Sequence, residues 1–202
     1  MPVECVCLCD GLGCSSGALI LPDLQDSSGK TWHLAVGARK DANIHIANRD
    51  SMGKVNPNND KAIYQEVDFA LGTGVWAIPA YFQNTVYYGG VSDSLQTFPI
   101  RNARLATSPS SQSAAVFADP GTTPGISANG SSNGIVWALE NSGGTSILHA
   151  YDATNLSNEL YNSNQAGSRD QFSDNKFITP MISKGKVYVG TPTGVVVFRL
   201  LP

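Results

Sequence analysis

The chemistry this 202-residue chain could perform rests first on three histidines and one patterned serine. Gly13-Cys14-Ser15-Ser16-Gly17 fits the Gly-x-Ser-x-Gly pattern that presents a nucleophilic hydroxyl at a strand-to-helix turn. An apolar run, Val3 to Leu8, offers the strand, but Ala18-Leu19-Ile20-Leu21-Pro22 reads as a second strand rather than the helix that should follow. Ser15 as a nucleophile therefore competes with a glycine-rich turn at the entrance to the folded body. His33 and His45 fall on neighbouring strands, and His149 falls on a strand that corresponds to that of His45. If the strands are arranged around an axis, His45 and His149 could converge there as a general base or as metal ligands. The competing reading gives each histidine a backbone carbonyl or a strand edge.

Oxygen-rich loops form the second group. Asp41 with Asn43, Asp50 with Asn56, Asn58, Asn59 and Asp60, and Asp170 with Asp174 and Asn175 all suit calcium, which accepts six to eight oxygens with tolerant geometry. Asp50, Asn56, Asn58 and Asp60 are the first candidate. None of these loops follows the EF-hand spacing, and Asp and Asn are also ordinary turn formers. Cys5, Cys7 and Cys9 alternate, so a strand would put three thiols on one face, with Cys14 close behind. The spacing is not Cys-x-x-Cys, and a loose leader with incidental thiols is the competing reading.

These groups need elements to position them, and the elements repeat. Leu34-Ala35-Val36-Gly37, Val86-Tyr87-Tyr88-Gly89, Val136-Trp137-Ala138-Leu139 and Val187-Tyr188-Val189-Gly190 start 52, 50 and 51 residues apart. A proline precedes each: Pro22, Pro79, Pro124 and Pro180. A polar turn lies between proline and strand, and a further apolar strand follows, such as Leu95 to Phe98 or Val195 to Phe198. One sheet of three or four short strands cannot bury both faces alone, so successive units must pack on one another. The pattern predicts an all-β protein, a β-propeller of about four blades of antiparallel strands, small or partial. Residues 1–17 form a Cys-rich leader, and the blades run over 18–60, 61–110, 111–165 and 166–202. Polar stretches at 56–60 and 107–113 are expected to run between blades. A β-sandwich is the alternative, but it does not call for register at this spacing.

Composition removes several functions. Charged residues are 14% of the chain and the net charge is -3, so a phosphate-binding surface for nucleic acid is not expected. No run approaches the 18 apolar residues of a membrane span. The start MPVECVCLCDGLG lacks the basic region of a signal peptide, although a leader could lie upstream of this sequence. Trp32, Trp76, Trp137, Tyr87, Tyr88 and Tyr188 lie on or beside the repeat strands and are expected to pack between sheets.

Ala150-Tyr151-Asp152-Ala153 followed by Glu159-Leu160-Tyr161 resembles the Ala-x-Asp-Ala, Gly-Lys turn, Glu-Leu-Trp signature of PQQ-like propeller repeats. Ala47 to Lys54 is a second, partial match, and Gly185 to Gly190 is similar to an inner strand of such blades. The resemblance covers about residues 18–202. It implies a propeller fragment or compact relative of bacterial quinoproteins, of periplasmic or secreted origin. Those proteins usually have eight blades, and two copies of this chain could complete such a ring. The adjacent cysteines often found beside their cofactor have no counterpart here, so PQQ is not expected.

The expected function is a propeller that binds a small-molecule ligand or a protein partner, with a homodimer as one form. The first alternative is a calcium-dependent hydrolase acting on a lactone or ester, using His45, His149 or Ser15. The second is a residual quinoprotein oxidoreductase.

Overall fold

A computed structural model describes residues 16–53, 59, 61–141 and 143–199. The chain is all-β, and its strands fall into successive antiparallel sheets in chain order. The first sheet joins Leu19–Ile20, Leu34–Ala38, Ile44–Asn48 and Gln65–Val67. The second joins Ala80–Phe82, Thr85–Gly89 and Asp93–Arg101, whose far edge is shared by Arg104–Leu105 and Ser111–Phe117. The third joins Gly125–Asn129, Ser132–Asn141, Thr145–Asp152 and Asn155–Asn162, with Phe172–Ser173 on the free edge of Thr145–Asp152. The fourth joins Met181–Ser183, Lys186–Thr191 and Gly194–Arg199. A small hairpin, Leu24–Gln25 with Thr31–Trp32, forms a separate two-stranded sheet, and its Leu24 and Trp32 pack on the core of the first sheet.

The expected unit boundaries shift. Gln65–Val67 closes the first sheet, and Ser111–Phe117 belongs to the second, pairing Ser111 with Thr97 and Phe117 with Asp93. The polar segment at 107–113 therefore does not simply bridge two units. Its serines hide an edge strand whose buried residues are Ser113 and Phe117.

All four repeat runs lie on the second strand of successive sheets. The register of the first differs by one residue from the sequence expectation. A backbone bond repeats at the same turn in three sheets: Arg49 donates to His33, Ile100 to Asn84 and Ala153 to Gly134, at 2.8, 2.6 and 2.9 Å. Ala35 is thus the counterpart of Val86, Val136 and Val187, and Leu34 is not. A one-residue slip moves a side chain to the other face of a sheet, so the difference decides what each residue touches. Pro22 is also out of place. It follows the first strand of its sheet, whereas Pro79, Pro124 and Pro180 directly precede theirs.

With this register each sheet has two faces. One faces the sheet before it in the chain and carries the cross-strand rows Tyr81–Val86–Phe98, Ile126–Val136–Tyr151 and Ile182–Val187–Phe198. The other faces the sheet after it and carries Leu19–Val36–Ile46, Ala80–Tyr87–Thr97 and Gly125–Trp137–Ala150. Three apolar cores follow. Val36, Ile44 and Ile46 meet Val86, Tyr88 and Phe98 between the first and second sheets. Tyr87, Leu95 and Phe117 meet Val136, Tyr151 and Leu156 between the second and third. Leu139, Leu148 and Phe172 meet Val187 and Val189 between the third and fourth. Tyr87 and Tyr88 are adjacent in sequence yet fill different cores, because side chains alternate along a strand.

Candidate functional site

The three connections between sheets share a short design. Trp76-Ala77-Ile78 precedes Pro79, Gly121-Thr122-Thr123 precedes Pro124, and Phe177-Ile178-Thr179 precedes Pro180. Proline at the strand start is compatible with the edge of a sheet and stiffens the approach to it. These three segments, with Pro120, Leu139 and Asn141, surround one cleft of about 200 Å³. Its wall is fixed by close backbone contact at the middle connection. Gly121 has φ +82°, and a side chain there would press within 2.7 Å of the Gly89 and Gly90 carbonyl oxygens. Only glycine accepts both the left-handed backbone and that approach. Thr122 braces the same wall, its hydroxyl accepting a bond from the Leu139 amide at 3.0 Å.

The chemistry of this cleft is aromatic and neutral. Trp76 and Phe177 keep 38% and 69% of their surface exposed, unlike the buried tyrosines of the cores, although the Lys40 ammonium lies over one face of Trp76. The lining hydroxyls and amide come from Thr122, Thr123, Thr179 and Asn141, and no lining residue is an acid or a base. Charge stays at the margin: the Lys40 ammonium lies 4.5 Å from the Trp76 ring centroid, and Lys176 pairs with Asp119 at 2.9 Å. A cleft with these groups can stack and hydrogen-bond a small ring, but its walls supply no general acid, general base or activated nucleophile.

The titratable centre lies elsewhere, between the second and third sheets. His149 is 5% exposed and is held on both sides: Nδ1 lies 2.5 Å from Glu159 Oε1, and Nε2 lies 2.9 Å from Glu140 Oε2. Its ring stacks on Tyr151 at 5.7 Å and meets Phe117 edge-on at 5.7 Å. With a carboxylate at each nitrogen, both ring positions are satisfied when both carry protons. Burial works to raise the Glu159 carboxyl, but hydrogen bonds from His149 and Asn162 outweigh it and hold that carboxyl below its ordinary value. Burial pushes the Tyr151 phenol upward, and the Glu159 charge adds to the effect. Neither nitrogen of His149 is free for a substrate or a metal, which makes this group a clamp between strands.

His45 occupies the matching place in the first sheet, two residues before Ala47 as His149 is two before Tyr151. Its Nδ1 lies 3.6 Å from Glu66 Oε1, and its Nε2 is buried without a hydrogen-bond partner. The correspondence expected from sequence is therefore real, but the two histidines do not meet: His149 faces the second sheet, whereas His45 lies on the first sheet's opposite face from the core it shares with the second. Asp50 is exposed and accepts from or shares a proton with His33 Nδ1 at 2.7 Å. Ser15, Asn56, Asn58 and Asp60, and the four cysteines, lie outside the described residues. Among the described residues no three His, Cys, Asp or Glu side chains are grouped to hold a metal ion.

Sequence reasoning placed Trp76 among packing aromatics and passed over Phe177. The signal that could have found the cleft was the repeated three-residue approach to each proline. Glu140 and Glu159 were missed because they reach His149 only through the pairing of the second, third and fourth strands. No protein-family model matches the chain, and a search of curated proteins returns no match.

Proposed function

We propose that this chain is a propeller-type repeat protein that binds a small, uncharged, hydroxyl-bearing ring, of the monosaccharide class, in the cleft where its sheet connections meet. One observation carries the reading: three successive connections, each entering its sheet through a proline, contribute to the same cleft. Sheets that each pack on the next, with their connections brought to one place, are what a radial arrangement of blades would produce. The occupant follows from the walls. Phe177 and the face of Trp76 opposite Lys40 offer flat apolar surface, and the threonines with Asn141 offer neutral donors and acceptors. At about 200 Å³ the space suits a single ring rather than a drug-sized molecule. Binding is favoured over hydrolysis because no lining side chain can transfer a proton near neutral pH.

Titration of a panel of neutral monosaccharides, followed by ligand-observed NMR and tryptophan fluorescence, tests this directly. A member of the panel should bind, and Trp76→Ala should weaken it at least about 10-fold by removing a stacking face. Binding that is unchanged in Trp76→Ala, or no binding across the panel, would overturn the reading.

A further inference from the structure

We propose that the outward face of the fourth sheet is an association surface whose occupant is the first sheet of a second copy of this chain. The inference rests on the repeat reading above, and it is carried by register. In the first three sheets the rows Leu19–Val36–Ile46, Ala80–Tyr87–Thr97 and Gly125–Trp137–Ala150 lie against the sheet that follows. The fourth sheet carries the corresponding row, Met181–Tyr188–Val197. Here Met181 and Val197 are 58% and 45% exposed, and Val195 beside them is 63% exposed. The counterparts of Val195 in the other sheets, Ile44, Leu95 and Leu148, are fully buried, and so are Ile46 and Ala150 at the place of Val197.

The complementary surface is on the first sheet. The rows that receive a preceding sheet are Tyr81–Val86–Phe98, Ile126–Val136–Tyr151 and Ile182–Val187–Phe198. Their counterpart in the first sheet is Ile20–Ala35–Ala47, with Ile20 63% exposed. The two rows differ in bulk in the sense needed to fit, since the large Tyr188 faces small alanines.

Internal contacts predict how the surfaces would meet. Tyr87 donates its hydroxyl to the Ala153 carbonyl across the second interface, at 2.7 Å. Tyr188 is the counterpart of Tyr87, and Arg49 is the counterpart of Ala153, so Tyr188 would donate to the Arg49 carbonyl of the second copy. At the outer end, Phe82 packs where a side chain on Gly134 would sit. The corresponding groups are Ser183, paired with Lys186, on one surface and His33 on the other. His33 is bracketed by Asp50 and Asp23, both exposed, while Lys186 is paired across strands with Arg199. Basic groups on one surface therefore face acidic groups on the other. The contact joins two different surfaces, so it is heterologous, and each copy offers both halves.

Sedimentation of the 202-residue chain should give a mass at least twice that of one chain. Val197→Asp should raise the dissociation constant at least about 30-fold, the effect of losing a central anchor. Ile20→Asp should do the same on the other surface. Because both residues are exposed, circular dichroism should match the parent. The decisive step mixes the two variants: one retains an intact first sheet, the other an intact fourth, so together they should form a dimer that neither forms alone. A parent chain that stays monomeric at millimolar concentration, or two variants that fail to associate when mixed, would overturn the proposal. Sugar binding measured on the same monomeric variants reports separately on the cleft, so failure of one reading does not imply failure of the other.

Discussion

His45 and His149 stand at one position in two sheets, yet they are held in opposite ways. In the third sheet a second-strand and a fourth-strand carboxylate close on the ring from both sides. In the first sheet Glu66 lies 3.6 Å from the ring, and Arg39 stands where Glu140 would be. The second sheet has Gln96 at this position, buried and bonded to Asp93 at 3.1 Å. The backbone thus fixes a polar position on the third strand, and the neighbouring strands decide whether it becomes a closed clamp. Equivalent place in a repeat does not confer equivalent chemistry.

The largest test of this difference is truncation. His149→Ala removes a buried ring and both of its carboxylate bonds, and because Glu140 and Glu159 are themselves partly open to solvent it should cost about 2–3 kcal/mol. His45→Ala removes one long contact and should cost about 1 kcal/mol or less. Urea unfolding monitored by tryptophan fluorescence measures both, and equal costs would erase the distinction. A smaller effect is expected from pH. Glu159 has its carboxyl held below the ordinary value of 4.5, so its ionised form stabilises the folded chain above that value. This contribution is lost as pH falls through the depressed folded-state value. The stability gap between parent and Glu159→Gln should therefore be full at neutral pH and shrink on acidification below 4.5. A gap that widens in acid would reverse the assignment. The smallest effect is expected for Tyr151→Phe. The Tyr151 hydroxyl is buried beside Glu159 and Ser113 and closes no well-formed hydrogen bond, so its removal should leave stability within about 1 kcal/mol of the parent, while the ring stacked on His149 is kept. A loss well beyond that in the same unfolding assay would mean that the hydroxyl takes part in the clamp.

The strands themselves were legible because Val86, Val136 and Val187 sit in apolar runs at nearly constant spacing. The first unit was misaligned by one residue for a physical reason. Leu34 and Val36 are bulky and buried, whereas the true counterparts, Ala35 and Ala47, are small and only half-buried. Alternation makes a run visible but does not say which of its two faces matches the next unit. Prolines marked the sheet entrances at Pro79, Pro124 and Pro180, but Pro22, equally visible, lies on the other side of its strand. His149 was recognisable as a candidate, yet its partners depend on register shifts between the third and fourth strands that no local pattern reveals. The cleft was least legible, since it gathers residues about 50 positions apart that share nothing but distance to a proline.

The order of sheets along the chain has a consequence for biogenesis. Every interior core is made by a sheet and the one synthesised just before it, so no sheet must wait for a distant segment to emerge. Contacts of this kind let structure accumulate on the ribosome in the direction of translation. At each moment the nascent protein would hold one newly formed apolar surface, ready for the next fifty or so residues to cover it.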